Sequence, residues 1–251
     1  MKRVVIAFAA LTITAPSWAA DLPDQAPAYE APAAMMVHNW TGFYIGGHAG
    51  AQWLRSDNSF IFPAPGINGS DTLTDTAFIG GGQIGYNWQG QGSPWVLGIE
   101  ADISGTSLDT TEELWRAGAL HFDGTSKLGT QGSIRGRVGW ASDAWLLYAA
   151  GGVSFGDAEL VTTFANDAVP ISTSFSRSKT LTGWNIGGGV EYAFTPSWSL
   201  AAEYRYTDFG DISLTAPALV VGNRVPIPYT ADADFKTHAV TARLNYKFGG
   251  M

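Results

Sequence analysis

The sequence predicts an all-β protein, an eight-stranded antiparallel up-and-down transmembrane β-barrel. Three observations support this fold class. Eight segments alternate apolar and polar residues with a period of two, as side chains do along a strand that has one apolar and one polar face. Connections of a few residues alternate strictly with connections of about twenty residues, the arrangement of short periplasmic turns and long outer loops in membrane barrels. Aromatic residues flank the short connections, where a membrane interface would lie.

The last segment, residues 237–248, shows the alternation most clearly. Its even-numbered positions from Val240 onward are apolar and end in Tyr246 and Phe248, whereas Arg243 and Lys247 share the opposite, polar face. An apolar face that ends in aromatic residues is typical of a strand that faces lipid. This segment is the eighth predicted strand.

Seven further segments precede it with the same period. The fifth is nearly apolar on both faces, and we predict that Trp145, Leu147, Val153 and Phe155 point outward. An even number of strands returns both chain ends to the same side of the membrane. The predicted strands are residues 42–53, 76–88, 95–104, 129–140, 145–155, 181–194, 198–209 and 237–248.

The composition favours a membrane barrel over a soluble one. The chain has 251 residues, with 31 glycines, 10 tryptophans and only 14% charged residues. After the N-terminus no stretch approaches the roughly 20 apolar residues of a spanning helix, and lipid otherwise accepts only closed barrels. A soluble barrel of the lipocalin type is the alternative, but it would place the apolar face inside and the charges outside. Here the charges lie opposite the aromatic, leucine and isoleucine residues.

Cysteine content and net charge exclude several classes of function. The chain has no cysteine, so disulfides, zinc–thiolate sites and cysteine nucleophiles are excluded. The formal net charge is −8, whereas a nucleic-acid surface needs clustered lysine and arginine. We therefore expect no nucleic-acid partner.

The N-terminal residues read as a targeting segment. Lys2 and Arg3 are followed by an apolar region at residues 4–15 and by small residues before a cleavage point after Ala19 or Ala20. An N-terminal anchor helix is the alternative, but the apolar region is too short for it. The predicted organisation is a signal peptide at residues 1–20, a Pro/Ala-rich periplasmic arm at 21–39, an outer-membrane β-barrel at 40–248 and a C-terminal tail at 249–251.

The inward face of the predicted barrel collects charged residues of both signs. The interior of an eight-stranded barrel is just wide enough for side chains, and unpaired charges there are costly. We therefore predict a cross-strand salt-bridge network that plugs the lumen, with a narrow charge-lined pore as the alternative. The predicted lumen charge network is Glu100, Asp102, Arg135, Arg137, Glu191, Glu203, Arg205, Arg243 and Lys247.

We predict that the chain is not an enzyme and holds neither a cofactor nor a metal ion. Glu100 and Asp102 lie on one face two residues apart, but acid–base catalysis requires substrate access, which a packed lumen denies. His121 and Asp123 form the one suggestive pair in a predicted outer loop, and a solvated loop pair is the simpler interpretation.

Ligand binding through the long outer loops is a further hypothesis. Haem binding would need an exposed histidine or tyrosine beside an apolar surface. The sequence offers His121, Tyr229 and three apolar runs at residues 60–63, 218–221 and 225–229. The same runs are also typical of strands that extend beyond the bilayer.

Five segments resemble a known family. They are Gly42–Gly47, Gly98–Asp102, Arg135–Trp140, Ala202–Tyr206 and Leu244–Phe248, and together they resemble the small porin-like outer-membrane β-barrel proteins. This group of abundant surface antigens of Gram-negative bacteria is related in architecture to the OmpA and OmpX barrels. The resemblance covers about residues 40–248.

The resemblance implies a structural protein of the cell outer membrane that serves envelope integrity and surface interaction. Two alternative functions stay open: a small diffusion porin, which the charged lumen suggests, or a haem-binding or adhesive surface protein that acts through its outer loops. The implied partners are outer-membrane lipid, a possible haem or host-surface ligand, and the barrel-assembly machinery, which reads an aromatic C-terminal end. That end corresponds to Tyr246 and Phe248, although Gly249, Gly250 and Met251 follow here.

Overall fold

The computed structural model describes residues 38–62, 66–168, 171–219 and 226–249, and all of its elements are β-strands. Each strand pairs antiparallel with its neighbours in sequence, and the first pairs with the last, so that the sheet closes. This confirms the predicted eight-stranded antiparallel barrel. The predicted signal peptide and most of the predicted arm lie outside the described residues. The strands are β1 (Gly42–Phe62), β2 (Ile67–Gln89), β3 (Trp95–Ala117), β4 (Leu120–Ser142), β5 (Trp145–Asn166), β6 (Ile171–Ala193), β7 (Trp198–Leu219) and β8 (Pro226–Lys247).

The turns at one end of the barrel are tight. Ser142 pairs with Trp145, so Asp143 and Ala144 alone form the β4–β5 turn. Asp143 has a φ of 51°, a left-handed conformation that aspartate tolerates better than most residues and that suits a two-residue hairpin turn. Residues 90–94 and 194–197 form the other two turns at this end.

The strands are about twice as long as the sequence predicted. They contain 21 to 23 residues, whereas about 9–11 residues suffice to cross a bilayer in a tilted strand. The predicted long loops are therefore largely strand: β3 and β4, for example, are joined only by Gly118 and Ala119. The prediction of loops was wrong because the outward face of the strands becomes polar about halfway along them, and in strands such as β7 and β8 the apolar residues move to the inward face.

The half near the tight turns, the proximal barrel, carries its apolar residues on the outside. Phe43 and Phe78 are each 67% exposed, and an apolar surface of this extent is typical of contact with lipid. The assignments made for the fifth strand are confirmed, since all four predicted outward residues are exposed. We call this outward apolar surface the lipid-facing belt. Its other exposed residues include Ile45, Trp53, Ile84, Trp88, Trp95, Ile99, Ile103, Trp140, Trp184, Ile186, Trp198 and Leu200.

Beyond the belt the pattern inverts. In β1 the outward residues change from Trp53 to Arg55 and Asp57, while the inward ones change from Gln52 to Leu54. Inward apolar residues of β1 and of β3 to β8 then form one apolar core, as in a soluble protein, and Ala77 of β2 packs against it. Its members are Leu54, Phe60, Leu108, Phe122, Leu128, Ala158, Leu160, Leu181, Phe209, Ile212, Leu214, Ala216, Tyr229, Ala231, Ala233 and Phe235, with Ala77, Leu114, Trp115, Phe164 and Phe175 packed against them.

The closed barrel also divides at this level into two sheets. The β2–β3 pairing ends at Ile79↔Thr106 and the β6–β7 pairing ends at Trp184↔Asp208, although the other pairings continue to the hairpin ends. Register shifts occur at the same level, in β3, β4 and β7. The half far from the tight turns is thus a sandwich of two four-stranded sheets, β2-β1-β8-β7 and β3-β4-β5-β6, on either side of the apolar core. We call it the distal sandwich.

Candidate functional site

The lumen of the proximal barrel contains a buried network of charged side chains. Successive inward positions of neighbouring strands bring these groups together: Glu100 of β3 pairs in register with Arg135 of β4. The Arg135 side chain, 1% exposed as a residue, donates to Glu100 and to Glu203, with Nη1 of Arg135 2.8 Å from Oε1 of Glu203. Arg243 of β8 lies between the same two carboxylates, with its Nη2 2.6 Å from Oε2 of Glu100. Two guanidinium groups and two carboxylates thus form a closed ring of ion pairs.

Two more charged residues extend this ring toward the distal sandwich. Nη1 of Arg205 lies 3.0 Å from Oδ1 of Asp102, and its Nη2 lies 3.1 Å from Oε1 of Glu203. Asp102 also accepts a hydrogen bond from the hydroxyl of Ser133. Arg205 is the most exposed member of the network and lies at its end nearest the distal sandwich.

Arg137 and Glu191 extend the ring toward the tight turns. Arg137 pairs with Glu191, and its guanidinium carbon lies 3.9 Å from the ring centroid of Tyr148, which is a cation–π contact. Tyr44 donates from its hydroxyl to Oε2 of Glu100 at 2.7 Å and accepts from Nη1 of Arg137 at 3.3 Å, and so joins this pair to the ring. Glu191 also accepts from the hydroxyl of Ser199 at 2.5 Å and from Nδ2 of Asn245 at 2.9 Å.

Eight of the nine residues predicted for the network therefore lie in one connected cluster, and its four carboxylates balance its four guanidinium groups. The structure does not bring Lys247 to this cluster. Its Nζ lies at the mouth of the lumen, where it donates to the backbone oxygen of Asn39 and lies 3.4 Å from Nε2 of His38. Lys247 is the last residue of β8 and therefore falls below the level of the other charges.

The sequence reasoning missed Tyr148 as a member of the network. Its hydroxyl donates to Oε2 of Glu203 at 2.9 Å. The signal was present, because a strand with Trp145 outward must place Tyr148 inward.

Uncharged polar side chains fill the lumen between the charged network and the distal core. The His48 ring contacts Oε1 of Gln83 at 2.6 Å and the hydroxyl of Ser104 at 2.8 Å. Gln52 and Gln131 exchange two hydrogen bonds of 3.1 and 2.9 Å across the lumen. Buried polar groups with such partners hold the facing strands at a fixed separation.

The segment before β1 covers the opposite end of the network. The Trp40 side chain is buried against Val96, Leu146 and Ala193, and its backbone nitrogen donates to Oε1 of Gln89 at 2.9 Å. The His38 ring stands edge-on to Trp40, with ring centroids 4.6 Å apart. Burial, followed by the nearby charge of Lys247, lowers the pKa of His38 to about 4. This end of the lumen therefore contains an apolar layer with a neutral imidazole at neutral pH.

His121 and Asp123 do not lie in a loop, as the sequence predicted, but in β4. Nε2 of His121 is 3.4 Å from Oδ2 of Asp123, and its Nδ1 is 3.5 Å from Oδ1 of Asp167. Arg116 pairs with Asp167 at 2.8 Å and with Glu113 at 2.5 Å, and these hydrogen bonds lower the pKa of both carboxyls. Burial raises the pKa of Asp123. The predicted pair is thus part of an ion-pair cluster that joins the β3–β4 hairpin to the β5–β6 turn.

Tyr229 is also placed differently from the exposed position considered for it. It is 2% exposed, its ring centroid lies 5.3 Å from that of Phe122, and its hydroxyl pairs with that of Thr162. Phe60 is buried in the same core. The described parts of the apolar runs fit strands that extend beyond the bilayer. Residues 63, 220, 221 and 225 of those runs lie outside the described residues.

The predicted assembly-signal end lies on the outer surface near the tight turns. Phe248 is exposed, and its ring centroid lies 5.1 Å from that of Tyr246, which in turn lies 5.0 Å from that of Trp198. Aromatic residues at this level form part of an interfacial girdle. Across the described residues, no three or more histidine, aspartate or glutamate side chains are grouped to hold a metal ion.

Comparison with known proteins assigns the chain to a family. Residues 6–248 match the family model described as an outer membrane protein beta-barrel domain. The 31 kDa outer-membrane immunogenic protein of Brucella melitensis biotype 1 is 32% identical over 255 residues, which cover 99% of this chain and 100% of that protein. The 22 kDa outer membrane protein of Rhizobium leguminosarum bv. viciae is 34% identical over 173 residues, or 68% of this chain and 65% of that protein.

A solved structure supports the same fold. OprG, an outer membrane protein from Pseudomonas aeruginosa, aligns with a TM-score of 0.53 at 14% identity, covering 85% of this chain and 99% of that one. The expected localisation is confirmed, since the relatives are outer-membrane proteins and the lipid-facing belt requires a membrane. The chain belongs to the family of outer membrane proteins with a beta-barrel domain.

Proposed function

We propose that this protein is a structural outer-membrane barrel that contributes to envelope integrity and presents a rigid surface for interaction, with a lumen closed to ions. The observation that carries the proposal is the charge-balanced network buried between two apolar layers. Trp40 with Val96 and Leu146 lies on one side of it, and the distal core lies on the other. An ion path would have to open all three layers.

The energetics of the network support a closed lumen. Removing one partner of a buried ion pair typically costs about 3–5 kcal/mol, because a charge is left uncompensated. Arg135 and Arg243 each bridge Glu100 and Glu203, so rotating one guanidinium away leaves two carboxylates short of a partner. Spontaneous opening of this ring should therefore be rare.

The polar exterior of the distal sandwich supports the surface role. In membrane barrels the short turns usually face the periplasm, and on that basis we assign the distal sandwich to the outside of the cell. The Brucella melitensis relative is named an immunogenic protein, which fits an exposed location for this part of the fold. A packed sandwich presents its surface residues in fixed positions, unlike a set of long loops.

Single-channel conductance of the refolded full chain in a planar bilayer tests the closed lumen. A shift in gel mobility on heating identifies the folded form. We expect a heat-modifiable protein that shows no discrete openings. Reproducible openings would overturn the closed lumen and favour the diffusion pore, especially if replacing both Arg135 and Arg137 by glutamine changed the current without lowering stability.

The role in envelope integrity is tested separately in cells. A strain that lacks the protein should become more sensitive to detergent, and the wild-type chain should restore resistance. The Trp40→Ala variant should restore less resistance if closure of the lumen matters. Equal detergent resistance with and without the protein would remove this part of the proposal.

A further inference from the structure

The β6 strand has an open edge in the distal sandwich. Its pairing with β7 stops at Trp184↔Asp208, whereas its pairing with β5 continues to Asn166↔Ile171. At the same level β7 contains a register shift, and Gly210 adopts a φ of 77°, a conformation that turns the strand and that glycine accepts without strain. Among the described strands, residues 172–180 of β6 therefore have a neighbour on one side only. Such an edge is a template for another strand.

The pairing of β2 with β3 also stops partway, and we call each of these two unpaired boundaries a seam. The β2–β3 seam is bridged by hydrogen bonds. Oδ2 of Asp75 accepts from the backbone nitrogen of Asp109 at 3.1 Å, and the hydroxyl of Thr106 donates to the backbone oxygen of Phe78 at 3.1 Å. In the part of the chain that the structure describes, no such bond joins β6 to β7 above Asp208. Among the described residues the two seams thus differ, and the β6–β7 seam is the one without such a bridge. Both of its edges, in β6 and in β7, are unpaired there. The β6 edge is distinguished by its charge.

Two cations lie on this edge without a carboxylate partner. Arg177 and Lys179 occupy the same face of β6 as the buried Leu181, yet both are exposed, because the seam is open at their level. The described residues contain no carboxylate within ion-pair distance of either. The other described cations of the distal sandwich are paired, as in Lys127–Asp109 at 3.1 Å. The further pairs are Arg55–Asp57, Arg116–Glu113 and Lys236–Asp234.

We propose that residues 172–180 of β6 bind an extended acidic peptide segment of a protein partner by strand addition. The backbone of the peptide pairs with the open edge. Carboxylates at alternate positions of the peptide face Arg177 and Lys179, since side chains two residues apart share a face in both strands. This proposal rests on the surface role proposed above and names the chemistry of the partner. A lipid or saccharide phosphate would use the two cations but would gain nothing from the backbone edge.

The probe is a synthetic peptide of about nine residues with alternating threonine and glutamate, matched in length to the open edge. Its binding to the refolded, heat-modifiable full chain is measured by fluorescence anisotropy at low salt. We expect saturable binding, and we expect the Arg177→Ser/Lys179→Ser double variant to bind about tenfold more weakly. The Lys127→Ser/Lys236→Ser double variant removes the same charge from other positions and should bind like the wild type.

A second peptide tests the role of the backbone. The same sequence with N-methyl groups at alternate amides keeps its charge but cannot pair with the edge. It should bind to the wild-type protein no more tightly than the unmethylated peptide binds to the double variant. Equal binding of both peptides, or binding only of lipopolysaccharide vesicles, would reduce the edge to an anion site and overturn strand addition. Absence of binding to the unmethylated peptide would also overturn it.

Hydrogen exchange provides the structural measurement. The alternate amides of residues 172–180 that point away from β5 should gain protection when the unmethylated peptide is added, whereas those of β2 should not. Conductance of the same sample separates this proposal from the previous one. If the barrel conducts ions and the peptide still protects these amides, strand addition at β6 is supported and only the closed lumen is refuted.

Discussion

Arg135 illustrates how much one inward residue carries in this lumen. Its side chain is fully buried within the bilayer region and holds two carboxylates, one from β3 and one from β7. Exposed arginines of the same chain, such as Arg116, contact carboxylates at similar distances but in water. Desolvation makes a buried pair costly to break, whereas an exposed pair loses little.

Replacing Arg135 by glutamine should therefore lower the free energy of unfolding by about 3–5 kcal/mol. The variant leaves Glu100 and Glu203 facing each other with Arg243 as their only shared cation. Urea titration in lipid vesicles, followed by the gel mobility of the folded form, measures the change. Lys127→Gln is the matched control: it breaks the exposed pair with Asp109 and should cost about 0–1 kcal/mol. Similar losses in both variants would mean that the network contributes no special stability.

His38 should make the docking of Trp40 depend on pH. Burial and Lys247 hold the pKa of His38 at about 4, whereas its ordinary value is 6.5, so the undocked segment binds a proton more readily than the docked one. Docking is therefore fully stable above about pH 6.5 and weakens as the pH falls toward 4. Fluorine NMR of 5-fluorotryptophan-labelled protein, with the Trp40 signal assigned by Trp40→Phe, should show the signal shift toward a solvent-exposed position across this range.

Two variants test whether the imidazole of His38 is responsible. His38→Gln should remove the pH dependence of the Trp40 signal, and His121→Gln should leave it unchanged. A Trp40 signal that moves in the same way in all three proteins would point to another group, such as Glu191, which also faces the mouth.

At this scale the sequence identifies most of the site. A period of two places Glu100, Arg135, Arg137 and Arg243 on the inward face, and the narrow lumen forces them to pair. The period does not give the position of a side chain along the barrel axis. Lys247 was therefore predicted to join the network, although it lies at the mouth of the lumen. That position depends on the stagger between strands, a property of the closed barrel that no single strand reveals.

At the scale of the strand, close approach of neighbouring backbones constrains certain positions. An added Cβ at Gly81 of β2 would overlap the backbone oxygen of Ile103 and lie 2.7 Å from the Cα of Ser104, both in β3. Gly105 of β3 has open space where its Cβ would be. Two glycines in adjacent strands are therefore expected to differ in their tolerance of a side chain.

Gly81→Ala should lower the stability of the folded barrel by about 1–3 kcal/mol, because β2 and β3 must move apart to admit the methyl group. Gly105→Ala should change it by less than about 0.5 kcal/mol in either direction, as for an unconstrained surface position. The fraction that refolds into the heat-modifiable form, and its urea midpoint, provide the measurement. If both variants refold equally well, the close approach of these two strands does not limit folding.

Strand existence and side-chain orientation were predictable, but strand length was not. Beyond Trp53 the charged residues of β1, Arg55 and Asp57, lie on the outward face, and the apolar residues Leu54 and Phe60 lie on the inward face. The alternation of outward apolar and inward polar residues ends at this point, and on that pattern alone the sequence predicts a loop. The alternation in fact continues with opposite sign, because the solvent outside the strand has changed from lipid to water.

At the scale of the molecule, the same eight strands form two structures. In the proximal barrel a polar interior faces an apolar exterior, and in the distal sandwich the two are exchanged. The open seams arise only where the barrel leaves the membrane, since unpaired strand edges are not tolerated in lipid but can be hydrated in water. The division into two sheets is a tertiary feature that sequence periodicity cannot show.

This division predicts that the distal sandwich can be loosened without unfolding the barrel. Phe235 of β8 is 0% exposed in the distal core, and Phe235→Ala should cost about 3–5 kcal/mol of local stability through the cavity it leaves. Proteases added to vesicles that contain the refolded protein should then cleave the distal hairpins faster. The proximal barrel should keep its heat-modifiable mobility, since its own network and lipid contacts are unchanged. Lys236→Ala, which alters the adjacent outward residue, is the control and should change neither measurement. If the variant lost both its protease resistance and its heat-modifiable mobility, the two halves would unfold as one cooperative unit.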